Sequence, residues 1–257
     1  MLRHTFIHIQ GIGPKSELRL WRQGITTWEM FLDRKGTIFS PARDSFIRGE
    51  LEQSLVHRDD ITFFSDRLSS AHLWRLFEAF SNRVVYLDIE TSGGYQGLDE
   101  ITVVGTYDGR EVKTFVSGYN LDEFEQAIHG YQIIITFNGG SFDLPCIRRH
   151  FPGIQLPPVH IDLFPLMARL GYRGGLKSIE KQLAIAREAE IEGMNGYDAV
   201  RLWAAYQWGD EQALSRLIKY NTADIVNLQP LMEVAYEKMK ERLFGQCPEL
   251  KMARGHV

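Results

Sequence analysis

The hydrophobic pattern changes period along the chain. Between residues 84 and 137 the apolar positions fall in short, β-branched or aromatic runs such as Val84-Val85-Tyr86-Leu87 and Ile133-Ile134-Ile135-Thr136-Phe137. Runs of this length between polar and glycine-rich turns mark strands buried in a sheet. They predict strands near Val84 to Asp88, Ile101 to Tyr107, Glu111 to Val116 and Gln132 to Phe137. Asn120 is placed to cap a short helix carrying Leu121, Phe124 and Ile128. After Pro157-Pro158 the rest reads as helical: Leu163 to Leu170, Leu176 to Ala186, Tyr197 to Trp208, and a long helix from about Glu211. In that last helix Leu214, Leu217, Ile218, Ile225 and Leu228 recur at helical spacing, and Pro230 is expected to kink or restart it. The pattern is that of an α/β domain, a mixed sheet flanked by helices.

The first 80 residues follow a different plan. A helix begins at Pro14 and runs through Trp21, and Gly24 to Glu29 leads into another short one. Lys35 to Glu50, with Gly36, Pro41, Gly49 and mixed charge, reads as a connector, and Thr5 to Ile9 looks extended. A helix from about Ser70, with Leu73, Leu76, Phe77 and Phe80 on one face, leads onward. The expected division is a small, mainly helical module over 1–80, an α/β domain over 81–243, and a tail over 244–257.

The chemistry lies in three patches. Asp88 and Glu90 end the first strand, and the period of two points both carboxylates to one side while Ile89 returns to the core. Two such acids repel unless something positive sits between them. Asp143 follows the second apolar run, after the turn-forming Asn138-Gly139-Gly140, where it either faces the cleft from the start of a helix or caps that helix. Tyr220 and Asp224 lie one turn apart on one face of the long helix. Oxygen-only ligands suit Mg²⁺ or Mn²⁺ rather than zinc. Two such ions about 4 Å apart can activate water and stabilise a leaving oxygen in an in-line displacement.

In order, spacing and context, Leu-Asp-Ile-Glu-Thr, Phe-Asn-Gly-Gly-Ser-Phe-Asp-Leu-Pro and Tyr-Asn-Thr-Ala-Asp resemble the DEDD superfamily of 3′-5′ exonucleases. That superfamily has the ribonuclease-H-like fold, and the Tyr-x-x-x-Asp motif is that of its tyrosine-bearing (DEDDy) subclass. Within it the wording is most similar to the bacterial YprB-type putative exonucleases, over about residues 82 to 240. The resemblance implies that Asp88, Glu90, Asp143 and Asp224 hold two divalent cations and that Tyr220 orients or helps activate the attacking water. It also implies a nucleic-acid substrate entered at single-stranded 3′ ends. Asn138 orders the motif loop or touches substrate; Arg148-Arg149 and the loop Arg173-Gly174-Gly175-Leu176-Lys177 are candidate phosphate contacts. Asp162 belongs behind the ligands or at a helix cap, and His160 packs.

Ile9-Gln10-Gly11-Ile12-Gly13-Pro14-Lys15 resembles a helix-hairpin-helix element, in which Gly11 and Gly13 would offer backbone N–H groups to a phosphate, with Lys15, Arg19 and Arg22 nearby. The alternative is a purely structural helix pair.

Composition changes the picture little. The 257 residues carry 33 acidic against 29 basic side chains, net −4, which argues against coating nucleic acid by charge alone. Cys146 and Cys247 have neither disulfide-framework nor metal-ligand spacing, so a reducing cytoplasm is expected, and no apolar run suggests a membrane span. Two other functions fit the same residues: a nucleic-acid-binding or scaffold protein with weak or lost activity, and a hydrolase of nucleotides or small phosphodiesters. The motifs do not choose between DNA and RNA.

Overall fold

The computed structural model describes residues 1–94 and 99–246; Cys247 and the rest of the tail lie outside the described residues. The chain forms two units, residues 1–81 with the segment from Tyr236 onward, and residues 82–235. The segment from Tyr236, which the hydrophobic pattern leaves inside 81–243, therefore clusters with the first unit.

The first unit holds α1 (Pro14–Arg22), α2 (Trp28–Asp33), α3 (Pro41–Val56) and α4 (Ile61–Ser65). Helix α3 corrects the expected connector. Ser40 accepts from the Arg43 N–H at 3.3 Å, and Pro41 sits in the first turn, where its missing donor costs nothing. Asp44 folds back on the N–H groups of Ile38 and Phe39 at 2.6 and 3.0 Å, while Ile47 and Leu51 are buried. Residues 5–9 are likewise not a strand. They run as tight turns, and the Phe6 N–H donates to Glu17 at 2.7 Å instead of to a sheet partner. The stretch from Ser70 is a 3₁₀ helix to Leu76.

The second unit is built on a five-stranded sheet in the order β3-β2-β1-β4-β5. Its strands are β1 (Val84–Thr91), β2 (Ile101–Tyr107), β3 (Val112–Val116), β4 (Ile133–Thr136) and β5 (Val159–Asp162). Strand β1 lies mid-sheet, antiparallel to β2 and parallel to β4. Side chains alternate across it: Val85, Leu87 and Ile89 join one core with Phe115, Phe124, Ile134, Leu144 and Ile147. That alternation leaves Asp88 and Glu90 to the other side. There a second core gathers Val103, Trp203, Leu217 and Tyr220.

The helices are α5 (Glu123–Ala127), α6 (Asp143–His150), α7 (Leu163–Leu170), α8 (Leu176–Gln182), α9 (Gly196–Gln207) and α10 (Glu211–Phe244), which runs unbroken through Pro230 rather than restarting there. Three expectations need correction. Strand β5 was hidden after Pro157-Pro158 because it has only four residues; it pairs in parallel with β4 at the sheet edge. Asn120 does not cap α5. Its carboxamide accepts from the Val116 N–H at 2.9 Å and donates to the Thr114 carbonyl at 3.2 Å, holding the turn after β3. Helix α8 stops at Gln182, short of Ala186, and Ala184 turns left-handed at φ 56°. Among the described residues no helix is long and apolar enough to cross a membrane.

Candidate active site

A cleft of about 360 Å³ in the second unit is lined by Asp88, Glu90, Asp143, Tyr220 and Asp224 together with Asn138 and Phe142. Asp88 and Glu90 project from within β1, which continues three residues beyond the expected Asp88, with a shift of register between Glu90 and Thr91. Asp143 opens α6 without capping it; its carboxylate accepts from the Ile89 N–H at 3.2 Å, which ties the helix start to β1. Tyr220 and Asp224 come from one face of α10. One oxygen from each of Asp88, Glu90 and Asp224 can be chosen so that all three lie within 4.8 Å of one another. Asp143 lines the same cleft but stands outside that triad.

Glu90, Asp143 and Asp224 are buried, 7%, 5% and 6% exposed, and Asp88 is half-buried. Burial, then the neighbouring Asp143, Asp224 and Glu90, lifts the Asp88 carboxyl well above its ordinary range. Burial and then Asp224 do the same to Glu90. Asp143 is pushed up to about 7, mainly by burial, against the opposing pull of its backbone hydrogen bonds. Burial also raises Asp224, opposed by Arg187 and Lys177. A cluster this short of positive charge, made only of oxygen donors, fits a hard divalent cation.

Asn138 lines the cleft in a left-handed conformation, φ 66°. Its N–H and that of Gly140 donate to the two oxygens of Asp162 at 2.7 and 3.1 Å, and Asp162 also accepts from the Phe164 N–H at 3.0 Å. One carboxylate thus caps α7 and pins the motif loop. His160 bonds Thr136 Oγ1 at 2.8 Å, and burial lowers its basicity.

Lys177, proposed from sequence as a phosphate contact, donates to the Tyr220 hydroxyl, its ammonium 4.2 Å from the centre of that ring. Arg148 is not among the cleft residues, and Arg149 donates to the Asp99 carbonyl at 3.3 Å. Gly11, Gly13 and Lys15 belong to the first unit. There Gly11 has φ 78°, Gly13 precedes α1, and Lys15 is exposed; the guanidinium of Arg43 donates to the Gln10 carbonyl beside them.

Sequence reasoning missed Asn221, Glu180 and Arg187. Asn221 is fully buried and donates to Asp88 Oδ2 at 3.0 Å and to its carbonyl at 3.3 Å. Gly105, the β2 partner of Asp88, makes this possible: a Cβ there would stand 1.9 Å from Asn221 Oδ1. The signal available was spacing, since Asn221 precedes Asp224 by three residues on the same helix. Arg187 ion-pairs with Asp224 and Glu180, and no sequence period announces that.

A sequence profile of the RNase_H superfamily matches residues 85–236, more than half of the chain, and the chain belongs to that superfamily. Its mixed sheet flanked by helices is the ribonuclease-H-like α/β fold. No curated protein matches it. Among solved structures, a family B DNA polymerase from the archaeon Pyrobaculum calidifontis is similar at 16% identity and a TM-score of 0.47, over 58% of this chain and 24% of the polymerase. Escherichia coli RNase D, an exoribonuclease involved in structured RNA processing, gives 18% and 0.45 over 72% of this chain and 48% of its own. Brucella melitensis NrnC, also solved with bound Mg²⁺, gives 20% and 0.44 over 69% and 82%. The chain therefore spans about a quarter of the polymerase and half of RNase D.

Proposed function

We propose that this protein is a metal-dependent 3′-5′ exonuclease, of the tyrosine-bearing DEDD subclass and nearest the YprB-type enzymes, acting on single-stranded ends of nucleic acid. The observation that carries the reading is the convergence of Asp88, Glu90 and Asp224 in one cleft with Asp143 and Tyr220. Their segments lie far apart in sequence, and their mutual repulsion is a cost that a binding module or scaffold has no reason to bear. The half-open cleft suits a strand better than an enclosed mononucleotide pocket would. Polarity and exonucleolytic attack come from the motif resemblance.

Asp88, Glu90, Asp143 and Asp224 would hold two Mg²⁺ or Mn²⁺ ions. When bound, these lower the pKa of the attacking water and stabilise the charge that develops on the phosphoryl group. Burial and the charge of Asp224 raise the Tyr220 phenol far above its ordinary pKa, which favours the protonated hydroxyl. Because Lys177 donates to the phenol oxygen, the phenol's own hydrogen is left to be donated into the cleft, where it orients the attacking water or a phosphoryl oxygen. Asn221 holds Asp88 in place, and Asp162 fixes the loop carrying Asn138 and Gly140. Phe142, 41% exposed on the cleft wall, offers a face for a terminal base.

The helix-hairpin-helix-like turn at Gly11 to Lys15 is proposed as an accessory phosphate contact within a separate 1–80 module. A cytoplasmic location is proposed from the thiol usage, in keeping with the buried, unpaired Cys146.

The test is incubation with end-labelled single- and double-stranded DNA and RNA in Mg²⁺, Mn²⁺ or chelator. A ladder shortened from the 3′ end with either ion, absent in chelator, is expected. Internal fragments, shortening from the 5′ end or no hydrolysis would refute the reading.

A further inference from the structure

Behind the cleft lies a network that the proposed reaction does not require. Arg187, in the loop after α8, presents Nε and Nη2 to Glu180 Oε2 and Oε1 at 2.6 and 2.7 Å, and Nη2 also reaches Asp224 Oδ1. Glu180 in turn accepts from Asn227 Nδ2 at 3.0 Å, and Asn227 lies one turn beyond Asp224 on α10. The side chains are 6% exposed at Arg187, 2% at Glu180 and 8% at Asp224, so the interactions act in a low dielectric with little screening. Asp224 therefore answers to two demands: it belongs to the three-acid cluster with Asp88 and Glu90, and it is the partner of a fixed guanidinium.

We propose that Arg187 and Glu180 are a positioning pair that sets how strongly the acid cluster binds a divalent cation. This rests on the reading of that cluster as a cation site. Arg187 fixes the orientation of Asp224, and its charge also opposes a second cation at the same carboxylate. Glu180 draws the guanidinium toward itself through two bonds and so relieves that opposition. The pair forces opposite signs. Removing Arg187 strips a repelling charge from the site and tightens cation binding, although it leaves Glu180 with Asn227 alone and Asp224 without its guanidinium, and so weakens the fold. Removing the charge of Glu180 gives Arg187 wholly to Asp224 and weakens cation binding. A merely structural network would move both in the same direction, toward loss. For one charge added or removed a few ångströms away at an effective dielectric of about 20, after relaxation, a change on the order of tenfold is reasonable.

The experiment is calorimetric titration of Mn²⁺ into the full chain, wild type, Arg187→Gln, Glu180→Gln and Asp88→Asn, with thermal melting in chelator alongside. Arg187→Gln should bind Mn²⁺ on the order of tenfold tighter while melting lower in chelator, and Glu180→Gln should bind on the order of tenfold weaker. Weakening in both variants, or no change in either, overturns the inference while leaving the cation site intact. If Arg187→Gln does not fold, the double variant Arg187→Met/Glu180→Leu takes its place: it should bind Mn²⁺ more tightly than Glu180→Gln, and binding as weak as Glu180→Gln or weaker overturns the inference. Asp88→Asn separates the two levels, because wild-type Mn²⁺ affinity in that variant would refute the cation reading itself, and the inference with it.

Discussion

The two units bury charge in opposite ways. In the first, Arg75 and Glu17 are 1% and 2% exposed at their side chains and meet fork to fork, with both N···O distances 2.9 Å, and the Phe6 and Ile7 N–H groups complete the carboxylate. His8 is held neutral by burial, its pKa down to about 3, bonded to Ser54 between Trp28 and Phe64. In the second unit four acids line one cleft, with Lys177 and Arg187 the cations that bear on them, and the acids are pushed toward protonation instead of being balanced. Balanced burial specifies a fold; an excess of one sign at a cleft stores a demand for a ligand. The contrast separates the Arg75–Glu17 pair from the cleft acids by charge balance alone.

The largest expected effect is on hydrolysis. Asp88→Asn or Asp224→Asn should lower the single-turnover rate by about 10³-fold or more, roughly 4 kcal/mol of transition-state stabilisation. In chelator Asp88→Asn should melt no lower than wild type, because it relieves repulsion. A variant with full activity in Mn²⁺ would break the contrast on its functional side. Next, Arg75→Met should cost about 3–5 kcal/mol in denaturant unfolding, since it leaves Glu17 buried and unpaired. Adding Glu17→Leu should recover much of that loss. A cheap Arg75→Met would break the contrast on its structural side.

Tyr220→Phe should slow hydrolysis about tenfold, some 1.4 kcal/mol, and leave Mn²⁺ affinity nearly unchanged, because only a hydroxyl is lost. An unaltered rate would reduce Tyr220 to packing; weakened Mn²⁺ binding would make it part of the cation site.

Stability in chelator should carry two opposed pH slopes, read in melting rather than in rate. The Asp143 carboxyl titrates near 7 in the fold against 3.8 ordinarily, so the folded state binds the extra proton, and its contribution to stability is lost as pH rises through that window. His8 is depressed from 6.5 to about 3, so its contribution is present at neutral pH and lost as pH falls through that window. Asp143→Asn should reduce the first slope, which Asp88, Glu90 and Asp224 share, and His8→Phe should reduce the second, which His160 shares, in thermal melts. A slope left unchanged by its substitution would assign it wholly to the other groups.

The legible parts of the molecule were those governed by local period. Strand β2 ends where its apolar run ends, Asp88 and Glu90 share a side because strands alternate, and Tyr220 and Asp224 share a face because helices repeat. Helix α3 was obscured by Gly49 and mixed charge although Ser40-Pro41 announced its start, and β5 was too short to outweigh the helical pattern around it. The contacts of Asn221 and Arg187 were illegible for a deeper reason. Asn221 needs an empty space at Gly105 on another strand, and Arg187 needs the left-handed turn at Ala184 to bring it back to Asp224. Those are tertiary conditions, and no window of sequence contains both partners.

The central claim, that acids from three distant segments form one divalent-cation site, is tested most directly by anomalous diffraction from crystals grown in Mn²⁺. The account expects anomalous density bonded to oxygens of Asp88, Glu90 and Asp224 within the cleft. Manganese bound elsewhere with that cluster left bare, at concentrations that support hydrolysis, would contradict it.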